Sequence, residues 1–374
     1  MNLSNRHKYV VFLLLLALLA TTASAGCQTQ GTSKNSSEAE TNQTEAQAKS
    51  NYFSSEKATP KTKEGKVTFQ VGVDAYQAAR KVRLWVPYPV SNENQKITDV
   101  KVDGNYSSSG VYAESEYGNT MLYAEWEEPQ DKPELSFSFK VERNEIIRKN
   151  FPGKEASSLP PETKKFLASS DLVPTSGVCL DVAEKETKGK TTSLAKAEAI
   201  YDYLVETYKR DDSVVGCGTG DVSQLLAGKK GKCADIHSVF AGLNRSVGVP
   251  AKEIFGIRMP SEGQDMTKNF HCRGEFYMPG YGWVPADASD VLKLMLKENL
   301  TLNDQKVKDA RSYYFGAQTE TYIDFGTGRD LALNPPQEGG KLNYFMYPYA
   351  EVDGKPLDYL SQQDLKYTVT FASN

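Results

Sequence analysis

The segment Gly231-Lys232-Cys233-Ala234-Asp235-Ile236-His237 puts a thiol at the start of an apolar run with helical spacing, and His271 and Asp287 follow in that order. A cysteine becomes a strong nucleophile near neutral pH when its surroundings favour the thiolate. The unsatisfied N–H groups of a first helical turn, the positive end of the helix dipole and the Lys232 cation all act in that direction. The backbone N–H of Cys233 could also donate to an oxyanion formed on an attacked carbonyl. By itself a lone cysteine is more often a buried structural residue, so a nucleophile reading requires a base.

The chain has three histidines, His7, His237 and His271. His237 lies four residues after Cys233 on the same helical face, a spacing that suits a metal pair or a packing contact. With no further ligands at a suitable spacing, a hydrogen-bonded core histidine is the better reading, and no metal is expected. His271 begins an alternating, strand-like run and can face a helix N-terminus from across a site. Tyr281-Gly282-Trp283-Val284-Pro285-Ala286-Asp287 reads as a turn and a strand ending in a carboxylate. An Asp accepting from one imidazole nitrogen fixes the tautomer and stabilises the imidazolium paired with a thiolate. Asp290, three residues on, could substitute for Asp287.

These residues need elements to hold them. From Gly65 to about Glu145 apolar and polar residues alternate, as in Val67, Phe69, Val71 and Val73 or Leu135, Phe137, Phe139 and Val141. That period predicts about seven half-buried strands, enough for a small sandwich. Helical signals follow. Pro160-Pro161-Glu162 suits a short helix, Thr192 caps Ser193 to Lys209, and Asp221 caps a helix ending at Gly228. From Cys233 the residues Ile236, Val239, Phe240, Leu243 and Val247 form one stripe, ended by Gly248 before Pro250. Strands return at Glu253 to Arg258, His271 to Met278 and Trp283 to Pro285. Strands, then helices, then a sheet make an α+β arrangement.

Three separate blocks now carry a family resemblance. Cys233-Ala234-Asp235 with its apolar helix through Gly248-Val249-Pro250-Ala251-Lys252, His271 through Tyr277, and Gly282-Trp283-Val284-Pro285-Ala286-Asp287 resemble the transglutaminase-like superfamily of papain-like thiol enzymes. The resemblance covers about residues 190–290 in the family's motif order. It implies a papain-like α+β domain with a Cys-His-Asp triad mapping onto Cys233, His271 and Asp287. It also makes the preceding β-rich region similar to the sandwich found in bacterial members. One position departs: the family usually has an aromatic two residues after its His, and here stands Arg273. A guanidinium beside His271 is expected to lower the imidazole pKa and leave activity in doubt; the alternative is that Arg273 turns out to solvent or to Glu275.

Residues 1–26 read as a signal segment, with Arg6 and Lys8 before an apolar run too short for a comfortable membrane span. Ser24-Ala25-Gly26-Cys27 resembles the lipobox of bacterial lipoproteins, which implies lipid attachment at Cys27 and a cell-envelope location on the membrane, outside the cytoplasm. Residues 27–62 are polar and read as a disordered tether. The remaining boundaries are 63–147 for the sandwich, 148–330 for the transglutaminase-like domain and 331–374 for a C-terminal β-rich extension. The formal charge is −4, and loss of Arg6 and Lys8 makes the mature chain more acidic, which gives no nucleic-acid footprint.

The expected function is attack by Cys233 on an amide or peptide carbonyl through a thioester, with hydrolysis and acyl transfer both open and no cofactor required. The expected partners are a peptide or protein substrate, with cell-wall peptide as a candidate, and the membrane through the lipid. A catalytically degenerate domain serving as a surface binding or scaffold module is the alternative. A thiol redox role for Cys217 or Cys272 with Cys233 lacks a Cys-x-x-Cys. With Cys27 lipidated and Cys233 free, Cys179, Cys217 and Cys272 allow at most one disulfide.

Overall fold

The computed structural model describes residues 59–261 and 263–373. The signal segment, Cys27 and most of the tether lie outside the described residues. Among the described residues no helix is long and apolar enough to cross a membrane.

Alternation along the first strands builds two facing sheets. Thr62–Val73 runs antiparallel between Glu134–Asn144 and Leu365–Ala372, and Gln95–Gly104 pairs with the far side of Glu134–Asn144. The other sheet is ordered Lys355–Pro356, Tyr349–Val352, Lys81–Pro87, Thr120–Glu127, Ser108–Ala113. Val67, Phe69 and Phe137 of one sheet and Val82, Leu84 and Val86 of the other are buried in a single apolar cluster. The two inward faces therefore pack as a sandwich. Residues 331–374, expected as an extension, supply strands to both sheets. Tyr349–Val352 pairs with Lys81–Pro87, and Leu365–Ala372 pairs with Thr62–Val73. Both pairings cover strands that would otherwise be open sheet edges.

The helices are α1 (Val178–Glu186), α2 (Ser193–Thr207), α3 (Val222–Gly228), α4 (Cys233–Ser246), α5 (Ala288–Glu298) and α6 (Gln305–Tyr314). The Thr192 side chain accepts from the Ala195 N–H and Asp221 from the Gln224 N–H, so both expected caps are formed. The short helix after Pro160 is a 3-10 helix, Pro161–Leu167. The sequence gives no expectation for α1, α5 or α6.

A third antiparallel sheet is ordered Gly282–Ala286, Phe270–Met278, Ala251–Arg258, Tyr322–Thr327. Against it lies α4. Phe240 occupies the space beside Gly274, where an added Cβ would come within 2.8 Å of the ring. Gly256 has the same constraint at the register shift beside Phe255, since a Cβ there would stand 2.0 Å from the Ile323 carbonyl oxygen.

Ile236, Val239, Phe240 and Leu243 are fully buried, and each contributes about 1.5–3 kcal/mol on burial. The expected stripe is wider than one face, because Ser238, Asn244 and Arg245 are buried too. The Glu253 carboxylate accounts for two of these polar members. It accepts from Ser238 Oγ at 3.1 Å and pairs with Arg245 at 3.4 Å and Arg329 at 2.8 Å. Pairing of this kind is what makes buried charge tolerable.

Candidate active site

The first turn of α4 is held from below by Asp235. Its carboxylate accepts from the backbone N–H of Lys232 and of Gly220, each at 2.9 Å. The Lys232 bond satisfies the N–H of the residue before the helix, while the Lys232 ammonium, a donor only, accepts nothing in return. Two glycines make room for that carboxylate. Gly218 adopts φ +94°, and a Cβ there would meet Asp235 Oδ2 at 2.1 Å, while one on Gly231 would meet Asp235 Cβ at 2.5 Å. The thiol of Cys233 is therefore set at a helix N-terminus fixed by two backbone hydrogen bonds.

His271 arrives from the strand Phe270–Met278, where its register partner is Gly256. Asp287 follows the strand Gly282–Ala286 and caps α5. Its Oδ1 accepts the Asp290 N–H at 3.0 Å, and its Oδ2 lies 2.9 Å from His271 Nε2. With Nε2 committed to Asp287, Nδ1 is the nitrogen left to face sulfur, and the His271 charge acts on the Cys233 thiol. Cys233, His271 and Asp287, drawn from a helix and two strand ends, thus meet in the order expected. Cys27 lies outside the described residues.

Charge distribution follows from this geometry. Burial would raise the Cys233 thiol, but hydrogen bonds from Cys217 and Cys272 and the His271 charge outweigh it and hold the thiol well below its ordinary value. Burial and Arg258 lower the His271 pKa, yet Asp287, Asp290 and the Cys233 thiolate push it up to about 9. Asp287 is buried, which raises its pKa, but His271 and His237 hold it well below the usual carboxylate range. The hydrogen bond to Cys233, followed by burial, pushes the Cys217 thiol well up. For Cys272 burial comes first and Cys233 second. One thiolate is thus flanked by two protonated thiols. Cys179, Cys217, Cys233 and Cys272 are all free.

His237 is the core residue that its helical position suggests, and it is also a neighbour of the site. Its Nδ1 lies 3.7 Å from Cys272 Sγ, and its Nε2 lies 3.3 Å from Asp287 Oδ1, off the line of a hydrogen bond. Asp290 does not replace Asp287. It grips Arg258 through both oxygens, at 3.1 and 2.7 Å, and lies 3.6 Å from His271 Nε2. His271, Asp287 and Asp290 bring ligand atoms within 4.8 Å of one another, a spacing that a metal could use. Their charge is already matched by Arg258 and the raised imidazole.

Of the two expectations for Arg273, the structure takes the pairing with Glu275 and not the cation beside the imidazole. Its guanidinium bonds Glu275 and Asp324, the latter at 3.0 Å, and stacks over Tyr322 at 5.2 Å. Two carboxylates neutralise it, so it does not depress His271, and the cation that does is Arg258. Sequence reasoning misses Arg258 and the convergence of Cys217 and Cys272 on Cys233. The odd cysteine beside His271 is the only local signal for either.

The transglutaminase-like superfamily matches residues 180–288, a span containing Cys233, His271 and Asp287. An uncharacterized protein of Haemophilus influenzae is 34% identical over 310 residues, covering 76% of this chain and 84% of the relative. Among solved structures, a protein from Cytophaga hutchinsonii provisionally described as a cysteine protease superposes with a TM-score of 0.53. It covers 84% of this chain and 99% of that one at 14% identity, which is a likeness of fold alone. The three-block motif, the α+β architecture and these matches agree, and the chain belongs to the transglutaminase-like superfamily.

Proposed function

We propose that the protein is a thiol enzyme in which Cys233 attacks an amide or peptide carbonyl. The observation that carries this reading is the His271 Nε2 to Asp287 Oδ2 contact of 2.9 Å behind a thiol at the N-terminus of α4. The thiolate adds to the carbonyl carbon, and the first turn of α4 offers N–H groups to the developing oxyanion. Collapse forms a thioester as the amine departs with a proton from the His271 imidazolium. Water or a second amine then attacks the thioester, with His271 taking up its proton, and the free thiol is restored. Asp287 holds the imidazole in the required tautomer throughout. No step calls for a metal or organic cofactor. Water as the final acceptor makes the enzyme a protease or amidase, and an amine makes it an acyltransferase.

The scaffold alternative draws on Arg273 and on the tether, and pairing of Arg273 with Glu275 and Asp324 weakens the first of these. The basic signal segment and Ser24-Ala25-Gly26-Cys27 support a second part of the proposal, lipid attachment at Cys27 and anchoring to the outer side of the membrane. The substrate is then a peptide or protein met in the cell envelope, with cell-wall peptide as the leading candidate. Incubation with a mixture of cell-wall and protein peptides, followed by acid quench and mass spectrometry, tests the chemistry. An acyl adduct on Cys233, lost in Cys233→Ser, is expected. No adduct on Cys233 from any peptide in the mixture, with the protein folded, contradicts the proposal.

A further inference from the structure

The cleft over Cys233 has a volume of about 470 Å³, and its charged lining is one-sided. Arg210, Lys232, Arg258, Lys268 and Lys293 face it, against Asp265 as the one carboxylate among the described lining residues. Two of the five cations are already paired, Arg258 with Asp290 at 2.7 Å and Arg210 with Asp212 at 2.9 Å. Lys232, Lys268 and Lys293 enter no ion pair among the described residues. The two catalytic side chains at the floor, Cys233 thiolate and His271 imidazolium, cancel each other. The cleft therefore carries a net positive charge, because the three unpaired lysines outnumber Asp265 at its wall and the Asp287 carboxylate behind His271.

Lys293 is the most telling of the three. It stands half-buried on α5, the helix that Asp287 caps, on the wall beside His271 and Arg258. Burial first and the Arg258 charge second hold its ammonium below the ordinary lysine value. A cation kept unpaired near another cation costs stability unless something else supplies the counter-charge. Walls of low dielectric around such a cleft also concentrate its field on whatever enters.

We propose that the acyl donor carries a carboxylate close to the bond that Cys233 attacks, so that the cleft selects an acidic peptide over a neutral or basic one. This rests on the reading of Cys233 as the nucleophile. The carboxylate would sit against Lys293, with Lys268 and Lys232 at the mouth, and would bring the local charge to balance. Peptides with a free carboxylate within a residue or two of the scissile amide have this chemistry.

Two small electrophiles separate charge preference from nucleophilicity. Iodoacetate and iodoacetamide both lose iodide to the same thiolate, and they differ chiefly in that one is an anion. Their rate constants on Cys233 of the full-length protein, followed on the Cys233 peptide by mass spectrometry at a single pH, give a ratio from which the thiolate fraction cancels. The proposal predicts a higher iodoacetate-to-iodoacetamide ratio than for a free cysteine peptide, falling as salt is added. Lys293→Gln should lower it by about threefold, the effect of one unit charge ~6 Å away at water-like screening. Lys268→Gln on the exposed rim and the salt titration of the unaltered protein carry the same test should Lys293→Gln not fold. A ratio equal to that of the free peptide and insensitive to salt overturns the anion preference and leaves the nucleophile reading standing. Failure of Cys233 to react with either reagent overturns the nucleophile reading and the preference with it.

Discussion

His271 and Arg273 stand two residues apart on one strand, both buried, and their surroundings use charge in opposite ways. Around Arg273 two carboxylates hold three cations. Glu275 pairs with Arg273 and with Lys252 at 3.2 Å, and Asp324 pairs with Arg273 and lies 3.6 Å from the buried Arg143. That cluster joins the sheet behind α4 to the sandwich strand Glu134–Asn144, and it holds no thiol. Around His271 the charges are poised. Asp287 fixes one ring nitrogen, the other faces a thiolate, and the group lines a cleft. Burial of ionisable groups alone therefore does not mark the site, and neither does a cavity, which Arg273, Glu275 and Asp324 also line; what marks it is an imidazole–carboxylate pair beside the thiol proposed as nucleophile.

The largest break in this comparison is expected from His271→Ala. Loss of the acid and base should cost about 10²–10⁴-fold in kcat/KM on any amide substrate, and a loss below tenfold would place proton transfer elsewhere. The pH profile has the same origin. Below the Cys233 pKa, itself depressed, the thiolate is protonated and attack fails. Above about 9 the His271 imidazolium loses its proton and the leaving amine has no donor. Turnover should form a plateau between these limits, and a steady rise through pH 10 would show that the imidazolium is not the acid.

Arg273→Met should act on the Arg273 cluster alone. Removing one partner of a buried ion pair typically costs about 3–5 kcal/mol, readable by denaturant titration, while the alkylation rate of Cys233 per folded molecule stays at the native value. A changed Cys233 rate would mean that the two clusters are coupled. A smaller effect is expected at the helix cap. Asp235→Ala removes the acceptor for the Lys232 and Gly220 N–H groups and should cost about 0.5–2 kcal/mol. Stability equal to the native protein would mean that these two hydrogen bonds do not hold the first turn of α4.

Much of the site is legible in the sequence because its signals are local. Cys233 at the start of a helix-period run, His271 in an alternating run and Asp287 at the end of one each carry their element with them. What stays hidden depends on distant pairing. Arg273 reads as a cation beside an imidazole because its partner Asp324 lies on a strand 51 residues away. Arg258 and Asp290 meet only when the sheet and α5 pack. The C-terminal strands read as a separate extension, since nothing local in Leu365–Ala372 says that its partner is Thr62–Val73. Cys217 and Cys272 look like spare thiols, and only the fold brings both against Cys233.

The thiolate–imidazolium pair is the centre of the proposed chemistry, and the rate of Cys233 alkylation by iodoacetamide against pH tests it most directly. In the native protein the inflection should fall well below the ordinary thiol value of about 8.5, and in His271→Ala it should move up towards that value. An inflection near 8.5 that His271→Ala leaves in place would contradict the pair and the mechanism built on it.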